Sequence, residues 1–335
     1  MLRYLGRRVL YMAATLLAIS LVVFVVISLP PGDFVTALQA KYSTQGQGLS
    51  ADDLENLRVR YGLDGNILAQ YGHWFSQIVL HGDLGTSFEF EKPVADIVGP
   101  RLGATIGVSL ATLIVTWAIA FPIGVYSAVK QRSIGDYTAT TVGFLGLATP
   151  NFLIALVFIY FSVSWFGSVP SGLCSPEWCD SAWNLGKLLD LLGHLWIPMI
   201  VIGTAGVAGV VRIIRNNLLD ELHRPYVTAA RARGVPEKQL LRRYPLRVAL
   251  NPFVSTIGWV LPLLLVGDIV VGQILSLPTL GPILLGALRS QDMYLAGSII
   301  MILSMLTVIG TLISDLLLGW LDPRIRLMGM NGARQ

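Results

Sequence analysis

"LGATIGVSLATLIVTWAIAFPIGVYSAV" (residues 102–129) holds no Asp, Glu, Lys or Arg between Arg101 and Lys130. A helix needs about 20 predominantly apolar residues to cross the hydrocarbon layer of a bilayer, and this stretch exceeds that. Five more uncharged runs of comparable length occur: Val9–Gly32, Tyr137–Pro176, Leu191–Val211, Val248–Gly267 and Met293–Ser314. The 335-residue chain is 54% hydrophobic and 13% charged, against about one quarter charged in ordinary soluble chains. The expected fold is an all-α polytopic membrane protein with six transmembrane helices, near 9–29, 102–129, 138–166, 192–214, 250–274 and 294–320. Pro150 interrupts the third run, and proline is tolerated in a membrane helix at a kink.

The first span follows Arg3, Arg7 and Arg8 and so imitates a signal peptide. Its apolar stretch is too long for an h-region and no small-x-small cleavage site follows, so it is expected to stay attached, with "SLPPGD" (28–33) as its stop. Orientation follows from Lys and Arg. With the N-terminus inside, 17 of the 24 cations fall on inner segments, nine of them from Arg212 to Arg247. Both termini are therefore expected in the cytoplasm. The pI of 9.1 then reads as topology, with no nucleic-acid partner implied. Residues 34–100 become an outer, mostly helical cap, within which a capping-box-like Ser50 and Asp53 start the helical stretch 50–63. Residues 101–322 hold the other five spans and an inner loop at 220–247, and 323–335 form an inner tail. Cys174 and Cys179 fall on the outer side, where an oxidising compartment favours a local disulfide over two free thiols.

Chemistry has no visible home in the chain. No phosphate-cradling Gly-x-x-x-x-Gly-Lys-Ser/Thr or nucleophile elbow occurs, and four scattered histidines show no metal-ligand spacing. "GTAGVAG" (203–209) lies inside a span and reads as close helix packing through small residues. Asp268 and Asp315 lie at or within the fifth and sixth spans. Intramembrane acids default to a functional role, with a hydrogen bond to a neighbouring helix as the structural alternative.

The most unusual stretch is "YVTAARARGVPEKQLLRRYP" (226–245), basic and helix-prone in an oily chain. A short helix over Tyr226–Arg233 should end at Gly234, which supplies a left-handed C-terminal conformation, and a second should start near Pro236–Glu237. Taken as charge alone, the stretch is a solvated basic loop held near anionic lipid.

The order of short motifs resembles the permease subunits of ATP-binding-cassette importers of the dipeptide, oligopeptide and nickel type. The residues carrying it are "PPGD" (30–33), "LRVRYGLD" (57–64), "HGDLGTSF" (81–88), "RLGATIGVSLATL" (101–113), "ATPNF" (148–152), "LSLPTLGPILL" (275–285), "DMYLAGS" (292–298) and "LDPRIR" (321–326). The family's inner loop carries Glu-Ala-Ala, three residues, Gly, nine residues, then Ile-x-Leu-Pro. Here Thr228, Ala229 and Ala230 precede Arg231, Ala232, Arg233 and Gly234, and Tyr244-Pro245-Leu246-Arg247 follow at the right distance. Thr replaces Glu, Tyr replaces Ile, and Arg replaces the final Pro.

The resemblance implies a type I importer permease in the bacterial inner membrane that binds no cofactor itself. It implies a homologous second permease, forming a heterodimer, and two ATPases that hold ATP and Mg. It also implies an external solute-binding protein docking near the cap, with membrane lipid around the spans. Tyr226, Thr228, Ala229, Ala230, Arg231, Ala232, Arg233, Gly234, Val235 and Pro236 would then dock on an ATPase and pass on its closure. Peptides are the first cargo expected. Oligosaccharides are the alternative, because the family also serves sugars, and Gly272-Gln273 departs from the Glu-Thr usual in the fifth span; nickel and opines stay open. A secondary transporter, the competitor from another class, should show matched broken helices in two halves.

Overall fold

The protein is described by a computed structural model covering residues 2–29, 34–44, 50–61, 66–167 and 171–321. The stop at residues 30–33 and the tail from 323 onward lie outside the described residues.

The chain is almost wholly helical there. In order come α1 (Leu2–Ser28), α2 (Phe34–Thr44), α3 (Ala51–Tyr61), α4 (Ile67–Ser76) and α5 (Val94–Val129). Next are α6 (Ile134–Ala148), α7 (Asn151–Phe166), α8 (Pro176–Cys179), α9 (Leu185–Leu222) and α10 (Pro225–Ala232). The last are α11 (Glu237–Arg243), α12 (Pro245–Ser255), α13 (Ile257–Ile274), α14 (Leu280–Arg289) and α15 (Met293–Leu321). Among the described residues, five helices are long and apolar enough to cross a bilayer: α1, α5, α9, α13 and α15. The pair α6 and α7 makes a sixth if it counts as one span.

That pair departs from the expected single kinked helix, because its two halves are bent by 102°. The residue before a proline is pushed out of the helical region, and Thr149 sits extended at φ −88°, ψ 125° ahead of Pro150. Its hydroxyl donates to the Leu145 carbonyl at 2.7 Å, closing the end of α6. The fifth span also starts later than residue 250. The buried Thr256 separates α12 from α13, its hydroxyl donating back to the Phe253 carbonyl at 2.6 Å.

The chain divides into two compact units, Met1–Thr105 with Pro278–Leu306, and Ile106–Leu277 with Thr307–Gln335. In the first, Phe24 of α1 packs on Tyr71 (5.3 Å between ring centroids) and on the buried Trp74 (5.9 Å). Gly297 lies against the Trp74 indole, where an added Cβ would come within 3.1 Å. Ser50 and Asp53 form the capping box suggested by their spacing, each backbone N–H donating to the other's side chain at 3.2–3.3 Å.

The second unit buries an apolar core drawn from α5, α7, α9, α12 and α13, including Val108, Ala155, Ile197, Phe253 and Leu264. The small residues of "GTAGVAG" allow this closeness. An added Cβ on Gly203 would meet Thr116 Oγ1 at 3.0 Å, and one on Gly209 would meet Trp259 at 3.0 Å. Cys174 and Cys179 are joined by a disulfide, with Cα atoms 5.4 Å apart. The segment they close is anchored to α9, since Asp190 accepts from the Ser175 N–H (2.8 Å) and hydroxyl (2.6 Å).

Candidate functional site

The expected inner loop folds as a two-helix knob at the C-terminal end of α9. Helix α10 starts with Pro225 in its first turn, a position where the missing N–H of proline costs nothing. It ends in a Schellman motif. The Val235 N–H donates to the Ala230 carbonyl (3.3 Å) and the Gly234 N–H to the Arg231 carbonyl (3.0 Å). This closure needs a left-handed residue, and Gly234 supplies it at φ +79°. Pro236 then leads into α11, accepting from the Leu240 N–H at 2.8 Å.

Burial inside the knob is small and specific. Val227 and Ala230 of α10 and Leu240 of α11 form a closed cluster with Val235 and Tyr244 packed around it. Arg231 adds a bidentate pair to Glu237, Nε to Oε1 at 2.5 Å and Nη2 to Oε2 at 3.4 Å. The guanidinium holds the Glu237 carboxyl below its usual range, and Arg231 is raised in return. Tyr226 donates its hydroxyl to Glu221 at the end of α9, and burial with that carboxylate pushes the phenol up to about 12. The knob is thus tied back to the long helix that carries it.

What remains outside is the surface a partner would meet. Thr228, Ala229, Arg231, Ala232, Arg233, Gly234 and Pro236 are exposed, so small apolar residues are rimmed by cations. Of the ten residues singled out, Val227's neighbours Ala230 and Val235 face inward and the rest face outward or half outward. The arrangement can bind a complementary groove. Among the described residues it gathers no nucleophile with a positioned base.

Two carboxylates that sequence reasoning did not single out organise helix ends. Asp136, in the first turn of α6, takes both Nε and Nη2 of Arg215 on α9 at 3.0 Å and the Arg132 N–H at 2.9 Å. Asp292, just before α15, takes the Ser87 hydroxyl (2.5 Å), the Glu89 N–H (3.1 Å) and the Leu295 N–H (3.1 Å). It latches the 82–93 loop, itself closed by the Ser87 N–H to Lys92 carbonyl bond (2.9 Å), onto the start of the sixth span. Burial pushes the Asp292 carboxyl above its usual range despite these donors. The signal available for Asp136 was the Ser133-x-x-Asp136 spacing, a capping pattern at the edge of an uncharged run. Of the acids that were singled out, Asp315 is half-buried in α15, and the Asp268 side chain lies outside the described residues.

Comparison with known proteins places this architecture. Residues 120–327 match the family described as binding-protein-dependent transport system inner membrane component, and residues 1–111 match its N-terminal companion. The chain is 34% identical over 329 residues to the oligopeptide transport system permease protein AppB of Bacillus subtilis (strain 168), covering 97% of this chain and 99% of that one. It is 32% identical over 343 residues to the dipeptide transport system permease protein DppB of Escherichia coli (strain K12), covering 97% and 99%. In fold it is similar to a chain of the inward-facing MetNI methionine ABC transporter, with a TM-score of 0.53 and 16% identity over 68% of this chain and 96% of that one.

Proposed function

Because this chain belongs to the binding-protein-dependent transport system inner membrane component family, we propose that it forms half of a translocation pathway for peptides, driven through the α10–Gly234–α11 knob. The chain is a multi-pass inner-membrane permease subunit of an ATP-driven, binding-protein-dependent importer. It does no chemistry of its own in this reading. ATP and Mg sit on two partner ATPases, a homologous permease supplies the other half of the path, and an external binding protein delivers the cargo. Both termini face the cytoplasm, as the distribution of cations supports. The helices from α2 to α4 and the Asp292-latched loop lie outside, where the loaded binding protein docks.

The observation that carries the coupling role is the knob itself: a buried three-residue core, a Schellman closure at Gly234 and an exposed Ala229–Ala232–Pro236 rim. Rigidity at that place lets a push on the rim move α9, because Tyr226 bonds to Glu221 on the long helix. Peptide cargo is supported by the peptide-transport names of the full-length relatives. Oligosaccharide is the second reading, since the family resemblance extends to sugar importers and Gly272-Gln273 in α13 departs from the family's usual Glu-Thr.

Reconstitution with the two ATPases, the second permease and the binding protein tests the proposal. Vesicles should accumulate labelled di- or oligopeptide only with ATP and binding protein present. Uptake of oligosaccharide but not peptide would transfer the cargo to the second reading. Uptake driven by an ion gradient without ATP would contradict both.

A further inference from the structure

We propose that the cleft between α5, α6 and α9 is a binding site for one anionic phospholipid of the inner leaflet, with Arg212 as its headgroup contact. This goes beyond transport: it concerns a ligand of the bilayer, held by a permease whose cargo is something else.

The cleft measures about 550 Å³ and its lining is graded from one end to the other. Val115, Met199 and Ile200 line the apolar part, while Asp136, Arg212, Arg215 and Asn216 line the opposite end. Along α9 the lining runs from Met199 to Arg212, which at 1.5 Å per residue is about 20 Å. One leaflet of hydrocarbon is about 15 Å deep. An apolar trough of that length with a polar end matches a lipid tail and its headgroup better than it matches a compact polar solute.

The charge at the polar end selects the headgroup. Arg212 and Arg215 stand there against a single lining carboxylate, Asp136. That carboxylate is already spent on Arg215, which grips it with two hydrogen bonds. Arg212 stacks over the Phe144 ring at 5.0 Å and has no carboxylate partner among the described residues. Its guanidinium edge therefore keeps its donors for an acceptor that the protein does not provide. A phosphodiester is such an acceptor, and guanidinium binds it in bidentate fashion. The same end lies in the leaflet to which the cation bias points, and basic pockets between spans on that side suit anionic headgroups. Exposed apolar side chains of α6, with Val142 and Leu145 prominent, leave the trough open from the side.

The test uses the assembled importer in nanodiscs of phosphatidylcholine doped with a photoactivatable phosphatidylglycerol or, separately, a photoactivatable phosphatidylcholine. Labelling should concentrate on α6 and α9 peptides lining the cleft and favour phosphatidylglycerol by about fivefold, the weight of one cation at an anionic surface. Arg212→Gln should bring the two lipids to equal labelling, Arg212→Lys should keep a preference, and Arg289→Gln should change nothing. Inorganic phosphate in the buffer should not compete. Equal labelling in the unaltered protein, or a preference that survives Arg212→Gln, would overturn the proposal. So would a Thr140→Cys variant that crosslinks to the second permease, since a protein would then fill the trough.

Discussion

Asp292 and Glu237 are carboxylates that each hold a turn in place, and they do so under opposite conditions. Asp292 is fully buried, has no cation among its partners, and relies on a hydroxyl and two backbone N–H groups. Glu237 is 67% exposed and grips the guanidinium of Arg231, itself 49% exposed. The buried acid has less Coulombic help and more structural weight, because two of its donors, the Ser87 hydroxyl and the Leu295 N–H, are buried and have no water to turn to if it is removed. The exposed pair has closer contact and less weight, because solvent screens it and replaces either partner. In the knob, backbone closure at Gly234 and the Val227–Ala230–Leu240 cluster therefore do the holding.

The contrast is broken most directly by Asp292→Ala. Two buried donors and one part-buried donor would lose their acceptor, and thermal unfolding of the detergent-solubilised protein should show a loss of about 3 kcal/mol. Asp136→Ala sharpens the comparison, since its bidentate pair with Arg215 repeats the knob's chemistry under cover, with 4% and 27% of the two side chains exposed. A loss of about 2 kcal/mol is expected, between the values for exposed and buried pairs. Gly234→Ala comes next. An added Cβ meets nothing within 4 Å, so the penalty is the left-handed backbone alone, about 1 kcal/mol, seen as faster hydrogen exchange in α10 and α11.

The smallest effect is in pH, and its sign differs between the two acids. Glu237 is held below its usual range, so its contribution is present above the unfolded glutamate value and lost as pH falls through the lowered folded one. Asp292 is held above its range, so its contribution is present below the unfolded aspartate value and lost as pH rises through the raised folded one. Hydrogen exchange, corrected for the pH dependence of the chemical step, should show mild acid firming residues 87–92 and stronger acid loosening the start of α11.

How far the sequence reads ahead of the structure depends on the separation of the partners. Spans were legible because each is a local run without charge. The knob was legible because Ala230, Gly234 and Pro236 act on neighbours within five residues. The closeness allowed by Gly203 and Gly209 was legible as a small-residue stripe. The Asp292 latch was not, since its hydroxyl partner Ser87 is 205 residues away, and Asp136 meets Arg215 across 79. The bend at Pro150 was underestimated because an uncharged run reports length and carries no angle.

The central claim is that the knob's exposed rim receives the ATPase. Ala232→Glu alters that rim while touching no buried residue of the knob. Binding-protein-stimulated ATP hydrolysis should be measured in the assembled importer carrying it, with melting temperature as the control. The account predicts hydrolysis falling to the unstimulated rate with melting unchanged. Full stimulation and full uptake in the same variant would contradict it.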